Sequence, residues 1–449
     1  MNGLNSEQYY ASRADTGVSL VLAGAGTGKT KTLVEKVTNV IRDLPLDPSA
    51  LLVLTFSRRA AKELRLRIAS GTGGREVFAG TFHSFCLDLL REHGAAFLHS
   101  SGFDGFPAVV DDEGRSKIIR GLIYPDLDRF LGMPAGVVYD LMNSLMNNRR
   151  ALDGWKEKRL KESGLLDALR SLVGRYADIK RETNSIDYDD MMNFAISLLE
   201  NDPAVRAEVL SRYRYLFVDE FQDVSGDNIR LLKLLLPETG GNLFAVGDDW
   251  QSIYGFRKAA VGHIIRMKRF FPGAVIHRLT INYRSRKEIV SLSNGFIKRN
   301  RFRTRKRLRS GKGKGGRVRS LVVSMFNEEA EAIRAVIAYR DPGMTCAVLC
   351  RNNWQCRYIR SRLYNSDVDE DGVSIMTMHA SKGLEFDIVI VAGVCDSVIP
   401  DADNDIEEER RLLYVACTRA REELYIIAHA NDRGQVSRFG RELGIINNN

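Results

Sequence analysis

The chain has 449 residues, of which 44% are hydrophobic and 27% charged, with a formal net charge of +9. That length exceeds one ordinary core and calls for about two to four domains. The composition excludes a disordered chain, and the positive balance favours a polyanionic partner, nucleic acid first. Apolar runs such as Ile388 to Val394 fall far short of the roughly 18 residues a membrane helix needs. The polar start MNGLNSEQYY lacks the charged-then-apolar pattern of a signal peptide, so a cytoplasmic, membrane-independent protein is expected.

In chain order, the first legible unit is SLVLAGAGTGKTKTLVEKV, residues 19–37. It reads as an apolar strand, a glycine-rich turn and a helix, the context in which backbone N–H groups and a helix N-terminus converge on phosphate oxygens. Lys29 is expected to reach the β- and γ-phosphates of ATP, and the Thr30 hydroxyl to ligate Mg2+. The strict loop pattern wants glycine five residues before Gly28, where this chain has Ala23. Residues 89–189 read as a helix-rich insertion, with amphipathic stretches at 136–150 and 165–180 and no catalytic signature. Asp189 and Asp190 mark a helix start.

A second strand-like run, YRYLFVDEFQD (213–223), ends in Asp219 and Glu220. An acidic pair at the carboxyl end of a strand is where an α/β sheet places its chemistry. Asp219 is expected to hold Mg2+ and Glu220 to deprotonate the attacking water. A third run, AVGDDWQSIYGFRKA (245–259), sets Gln251 within a few residues of Tyr254 and Phe256.

Farther on, KRNRFRTRKRLRSGKGKGGRVR (298–319) holds twelve Lys and Arg and no acid. Direct phosphate contact is expected, against the plainer reading of a solvated basic loop. Strands at 318–324 and 344–350 alternate with helices near 328–340 and 354–364, and another strand starts by Val373. Cys346, Cys350 and Cys356 lack a fourth ligand and CxxC spacing, and are read as thiols packed on a strand and the helix after it.

Taken together, the ordered motifs resemble UvrD/Rep/PcrA-type superfamily 1 DNA helicases. They are LNSEQ (4–8), AGAGTGKT (23–30), TFSRRAAKEL (55–64), GTFHSF (80–85), VDEFQD (218–223), GDDWQSIYGF (247–256), LTINYRS (279–285), VSIMTMHASKGLEFDIVIVAG (373–393) and EEERRLLYVACTRAREEL (407–424). Trp250 and the compact layout look most like a helicase IV-like protein without its N-terminal extension. The resemblance implies an α/β fold of two RecA-like P-loop NTPase domains with ATP between them. Domain 1A would span 1–88 and 190–278, a helical 1B insertion 89–189, and domain 2A 279–449. Only NSDVDEDG (365–372) stands where such helicases insert a 2B domain, so its absence is expected.

The same resemblance implies the site. Residues Ala23, Gly24, Ala25, Gly26, Thr27, Gly28, Lys29 and Thr30 would cradle the phosphates. Gln8 would bond adenine, Tyr283 would stack on it and Lys31 would lie against it. Glu385 would lie near the ribose, and Arg284 and Arg419 would point at the γ-phosphate beside Gln251. Tyr254, Phe256 and Arg257 would grip single-stranded DNA. Phe56, Thr81, Phe82 and His83 would continue that track in one domain, and Thr377 and His379 in the other. Core packing is the alternative for Tyr254 and Phe256. The implied activity is ATP-driven 3′-to-5′ translocation and duplex unwinding by a monomer at ss/ds junctions, in DNA repair or replication restart. Base stacking does not read the sugar, so an RNA track stays open. The competing readings are an RNA polymerase remodelling factor, disfavoured by the absence of a long N-terminal arm, and a regulatory module with a decayed ATP site, disfavoured by the intact motif set.

Overall fold

The computed structural model describes residues 3–14, 17–125, 130, 133, 135–147, 164–255, 260–363, 372–396, 398–401, 404–431 and 433–445. The expected DNA contacts Phe256 and Arg257 lie outside the described residues. So do residues 365–371, on which the expected absence of a 2B domain rests.

Two all-parallel sheets organise the chain. The first contains β1 (Val18–Ala23), β2 (Leu51–Thr55), β3 (Phe78–Thr81), β4 (Tyr215–Val218), β5 (Asn242–Gly247) and β6 (Val275–Leu279), in the order β3-β2-β4-β5-β1-β6. Its central strands are apolar on both faces, as a sheet covered by helices on both sides requires. One face packs on Phe82, Phe85, Leu89 and Met191, the other on Leu33, Val37, Leu64 and Ile68. Because β4, β5 and β1 are neighbours, the three motifs that follow them emerge side by side at one edge. That adjacency builds the site.

The second sheet contains β7 (Arg317–Val323), β8 (Cys346–Cys350), β9 (Val373–Thr377), β10 (Phe386–Val394) and β11 (Ala420–His429), in the order β7-β11-β10-β8-β9. Its core extends across to the first sheet, since Ala25, Trp250 and Ile253 pack in one cluster with Leu412, Tyr414 and Leu424. Both sheets and their helices are RecA-like. Cys346 and Cys350 are buried on β8, and Cys356 on the helix Asn353–Leu363 that follows.

Between β3 and β4, the helices Asp112–Ile123, Ala135–Asn147 and Leu165–Glu182 pack around Ile119, Leu169 and Tyr176. Asp190 belongs to the capping box of helix Tyr188–Asn201, whose N-cap is Asp187. The Lys180 ammonium bonds both carboxylates, at 3.1 Å for Asp187 and 2.5 Å for Asp190.

Candidate nucleotide site and nucleic-acid interface

The phosphate loop runs from the end of β1 to helix Lys29–Asp43. Gly26 and Gly28 sit at φ +66° and +83°, a region other residues adopt only with strain. Gly28 is the N-cap and supplies no side-chain bond, so the first N–H groups of the helix remain available to an anion. Ala23 is the last, fully buried residue of β1 rather than part of the turn, which explains why a glycine is dispensable there.

Asp219 and Glu220 follow β4. Thr30 Oγ1 stands 3.5 Å from Asp219 Oδ2. This hydroxyl and carboxyl, both oxygen donors beside the phosphate loop, fit the hard ligand set Mg2+ prefers. Burial and the adjacent Glu220 push the Asp219 carboxyl up to about 7. Burial also opposes ionisation of Glu220, but Lys29, Lys382 and the Gln222 amide outweigh it and hold that carboxyl below its ordinary value. The two adjacent acids thus sit in unequal environments, and Glu220 is the more readily ionised of them. Glu220 also has a left-handed backbone at φ +52°, one of two non-glycine residues so placed among the described residues.

From Glu220 a run of hydrogen bonds leads to the second sheet. The Gln222 amide donates to Glu220 Oε2, and its carbonyl accepts from the Asp248 backbone N–H at 2.8 Å. The Gln251 amide donates to Asp248 Oδ2 at 2.5 Å. Its oxygen accepts from Arg419 Nη2 at 2.9 Å. Arg419 is 1% exposed and also donates to the carbonyls of Val415 and Leu384. Burial and the nearby Arg284 lower its pKa to about 9, so it remains charged at neutral pH. Arg284 is held by Glu385 Oε2 at 2.6 Å, and Glu385 also accepts from Arg421. Burial raises the Glu385 carboxyl, yet the two arginines more than offset this and bring it to about 2. Glu385 therefore orients Arg284 directly.

At the other end of the loop, Gln8 is buried. Its amide donates to Thr27 O at 2.9 Å and its oxygen accepts from the Asn5 N–H. Tyr283, 45% exposed, accepts from Asn5 Nδ2 at 2.7 Å. Gln8 and Tyr283 thus flank the loop together, and Lys31 Nζ reaches the Gly3 carbonyl beside them at 2.7 Å.

The basic run departs from expectation at Lys306. This ammonium is buried, with Asp248 Oδ1 at 2.5 Å, Asp249 Oδ1 at 2.8 Å and the Ala23 carbonyl at 2.9 Å, and it lies 4.8 Å from the centre of the Trp250 ring. Thr304 donates twice more to Asp249. Lys306 is therefore a structural cation joining the phosphate loop to the 248–251 turn, and not a phosphate contact for nucleic acid. Arg301, Arg305, Arg307 and Arg309 are exposed.

The expected nucleic-acid contacts divide. His83 is exposed, and Thr377 and His379 are partly exposed at the end of β9. Tyr254 is half-buried, with Lys382 Nζ 4.5 Å from its ring centre and the His379 ring at 6.4 Å. Lys382 also pairs with Asp223 at 2.5 Å, an inter-sheet contact that the motifs holding these two residues do not announce. The Thr81 hydroxyl caps helix Phe82–Glu92 by accepting from the Ser84 N–H. Phe82 departs from expectation: it is 2% exposed, packed in the core and against Phe56 at 5.2 Å, and offers no face to a strand. The expectation comes with the GTFHSF motif as a whole, through the family resemblance.

A phosphate loop and an acidic pair at the end of one RecA-like sheet, faced by Arg419 at the start of β11 and by Arg284 between the two sheets, define a P-loop NTPase site. Residues 4–272 match the UvrD/REP helicase N-terminal domain, and residues 277–370 and 360–431 match the UvrD-like helicase C-terminal domain. The chain belongs to the UvrD-like helicase family. It is 30% identical over 381 residues to the ATP-dependent DNA helicase PcrA of Leuconostoc citreum, covering 82% of this chain and 49% of that protein. To the PcrA proteins of Staphylococcus epidermidis and Staphylococcus aureus it is 29% identical over 378 residues, covering 82% of this chain and 50% of theirs. The chain spans about half the length of these relatives. No helix among the described residues is long and apolar enough to cross a membrane.

Proposed function

We propose that the chain hydrolyses ATP and uses the energy to move along single-stranded DNA, opening duplex at a junction with 3′-to-5′ polarity, as a cytoplasmic monomer in DNA repair or replication restart. The domain limits 1–88 with 190–278, 89–189 and 279–449 belong to the same reading. The observation that carries it is the unbroken set of contacts from Glu220 through Gln222, Asp248 and Gln251 to Arg419. It connects the general base in one domain to a buried cation in the other.

In this mechanism Lys29 and the loop N–H groups hold the β- and γ-phosphates, and Glu220 accepts the proton of the attacking water. Arg419 and Arg284 neutralise charge building on the transferred phosphoryl group. Thr30 and Asp219 would hold Mg2+, which would supply further positive charge to the phosphate oxygens. Three residues beyond Gln251, Tyr254 would stack on a base, so a change at the γ-phosphate and a change of grip share one short segment. Stacking tolerates any base sequence, as a translocating motor needs.

The test is ATP hydrolysis with and without oligo(dT). Strong stimulation is expected in the unmodified chain, and Glu220→Gln should lower the stimulated rate by about 10²–10⁴. Hydrolysis indifferent to DNA would refute the motor reading. The exposed arginines give a separate expectation. Replacing Arg301, Arg305, Arg307 and Arg309 with glutamine should flatten the slope of log affinity against log salt by up to about 0.7 for each phosphate no longer neutralised. An unchanged slope would remove them from the interface.

A further inference from the structure

Helix Asn353–Leu363 follows β8 and buries Gln355, Cys356, Ile359 and Leu363. Trp354, on its first turn, faces outward and is 43% exposed. A large ring left at the surface needs a reason, because Trp is among the most buried side chains on average. The indole is not loose. Phe326 meets it edge-on at 5.6 Å and 79°, and is itself anchored by Tyr358 at 6.2 Å and His429 at 4.7 Å. The ring is thus braced by an aromatic cluster rather than covered by one.

The helix itself is cationic: it carries exposed Arg357, Arg360 and Arg362 and no acid, with Arg360 donating to the Ile375 carbonyl at 3.1 Å and Arg362 lying 5.4 Å from the centre of the Tyr358 ring. Of the carboxylates on helix Phe326–Ala338, Glu328 is turned onto the backbone N–H groups of Ser324 and Met325, Glu329 is buried and accepts from the Gly393 N–H, and Glu331 is exposed. Position decides the partner. Cys350, the last residue of β8, pairs with Thr377, the last residue of β9. Trp354 therefore lies four residues beyond that register point, at the same carboxyl end of the sheet as Thr377 and His379.

We propose that Trp354 is a base-stacking platform that extends the single-strand path over the second domain, with Arg357 beside it for the backbone phosphate. A braced indole on a helix that carries arginines and no acid suits a flexible polyanion with π-faces, and the ligand class is single-stranded nucleic acid of any sequence. This inference rests on the motor reading above, that the strand crosses this end of the sheet.

The experiment is fluorescence anisotropy of labelled oligo(dT) with the full chain, Trp354→Ala and Trp354→Phe, across a salt series. Affinity is expected to fall about five- to hundred-fold in the alanine variant and to recover largely in the phenylalanine variant. The salt slope should stay unchanged, because stacking releases no counterions. DNA-independent ATP hydrolysis should also be unchanged, since Trp354 touches no part of the nucleotide site. If the alanine variant binds oligo(dT) as tightly as the unmodified chain, the proposal is overturned and the patch is left as a protein-docking surface, while the motor reading survives. If the unmodified chain itself shows neither binding nor stimulation, the motor reading fails, and this proposal with it.

Discussion

Lys306→Met is expected to destabilise the chain by about 3–5 kcal/mol, the range for removing one partner of a buried ion pair. The Lys306 side chain is 2% exposed and those of Asp248 and Asp249 are not exposed at all. Burial disfavours the ammonium, but the two carboxylates overcome this and raise its pKa. Burial likewise opposes Asp249, and Lys306 with the Thr304 donors still brings that carboxyl below its ordinary value. Methionine fills the space and removes the charge, leaving two desolvated carboxylates next to one another. Lys306→Arg should rescue poorly, because a planar fork cannot reproduce three converging bonds from one nitrogen. Urea denaturation is the measurement, with exposed Arg305→Met as the near-neutral control. Combining Lys306→Met with Asp249→Asn should recover part of the loss, since the two residues share one network. A loss below about 1 kcal/mol would show that the ion triad does not clamp the two segments together. ATP hydrolysis should fall too, because the same ammonium holds Ala23 at the mouth of the phosphate loop.

Lys306 also marks where reading the sequence succeeded and where it stopped. The two parallel sheets were legible because their strands are continuous apolar runs bounded by motif residues, and the phosphate loop because its spacing has few other uses. The basic run was legible only as charge. Within TRKRLRS the alternation is present, with Thr304, Lys306, Leu308 and Ser310 on one side of an extended segment and arginines on the other. Leu308, the single apolar residue there, points that side inward and takes Lys306 with it. A charge count averages the two faces and loses this. Phe82 is expected on the strand's path because its motif resembles one that lies there, but it begins a helix whose buried face includes Phe85, Cys86 and Leu89. The Lys382–Asp223 pair could not be read at all, because nothing local to either motif says that the two sheets bring them within 2.5 Å. Local pattern specifies elements and faces. Contacts between elements distant in sequence need the topology.

The two arginines share a motif-level description but not an environment, and that difference predicts unequal effects. Arg284 already has a carboxylate, Glu385, at 2.6 Å, so part of its charge is neutralised before any phosphate arrives. Arg419 has no carboxylate within ion-pair distance among the described residues; its partners are two backbone carbonyls, the Thr418 hydroxyl and the Gln251 amide oxygen. A buried guanidinium held by neutral acceptors is a fixed positive charge awaiting an anion, and reorganises little as charge develops on the phosphoryl group. Arg419→Ala is therefore expected to lower kcat for ATP hydrolysis by about 10³–10⁵, roughly 4–7 kcal/mol, with KM nearly unchanged. Arg284→Ala should cost less. Lysine at 419 should restore little, because one ammonium cannot hold the Gln251 oxygen and both carbonyls while facing the phosphate. Single-turnover hydrolysis compared with binding of a non-hydrolysable ATP analogue separates the two quantities. An equal loss in both would mean that Arg419 holds the ground state, and a loss under tenfold would return it to the structural core. Gln251→Ala should weaken hydrolysis by less than Arg419→Ala and also blunt the stimulation by oligo(dT), because Gln251 is where the arginine, Asp248 and the segment leading to Tyr254 meet.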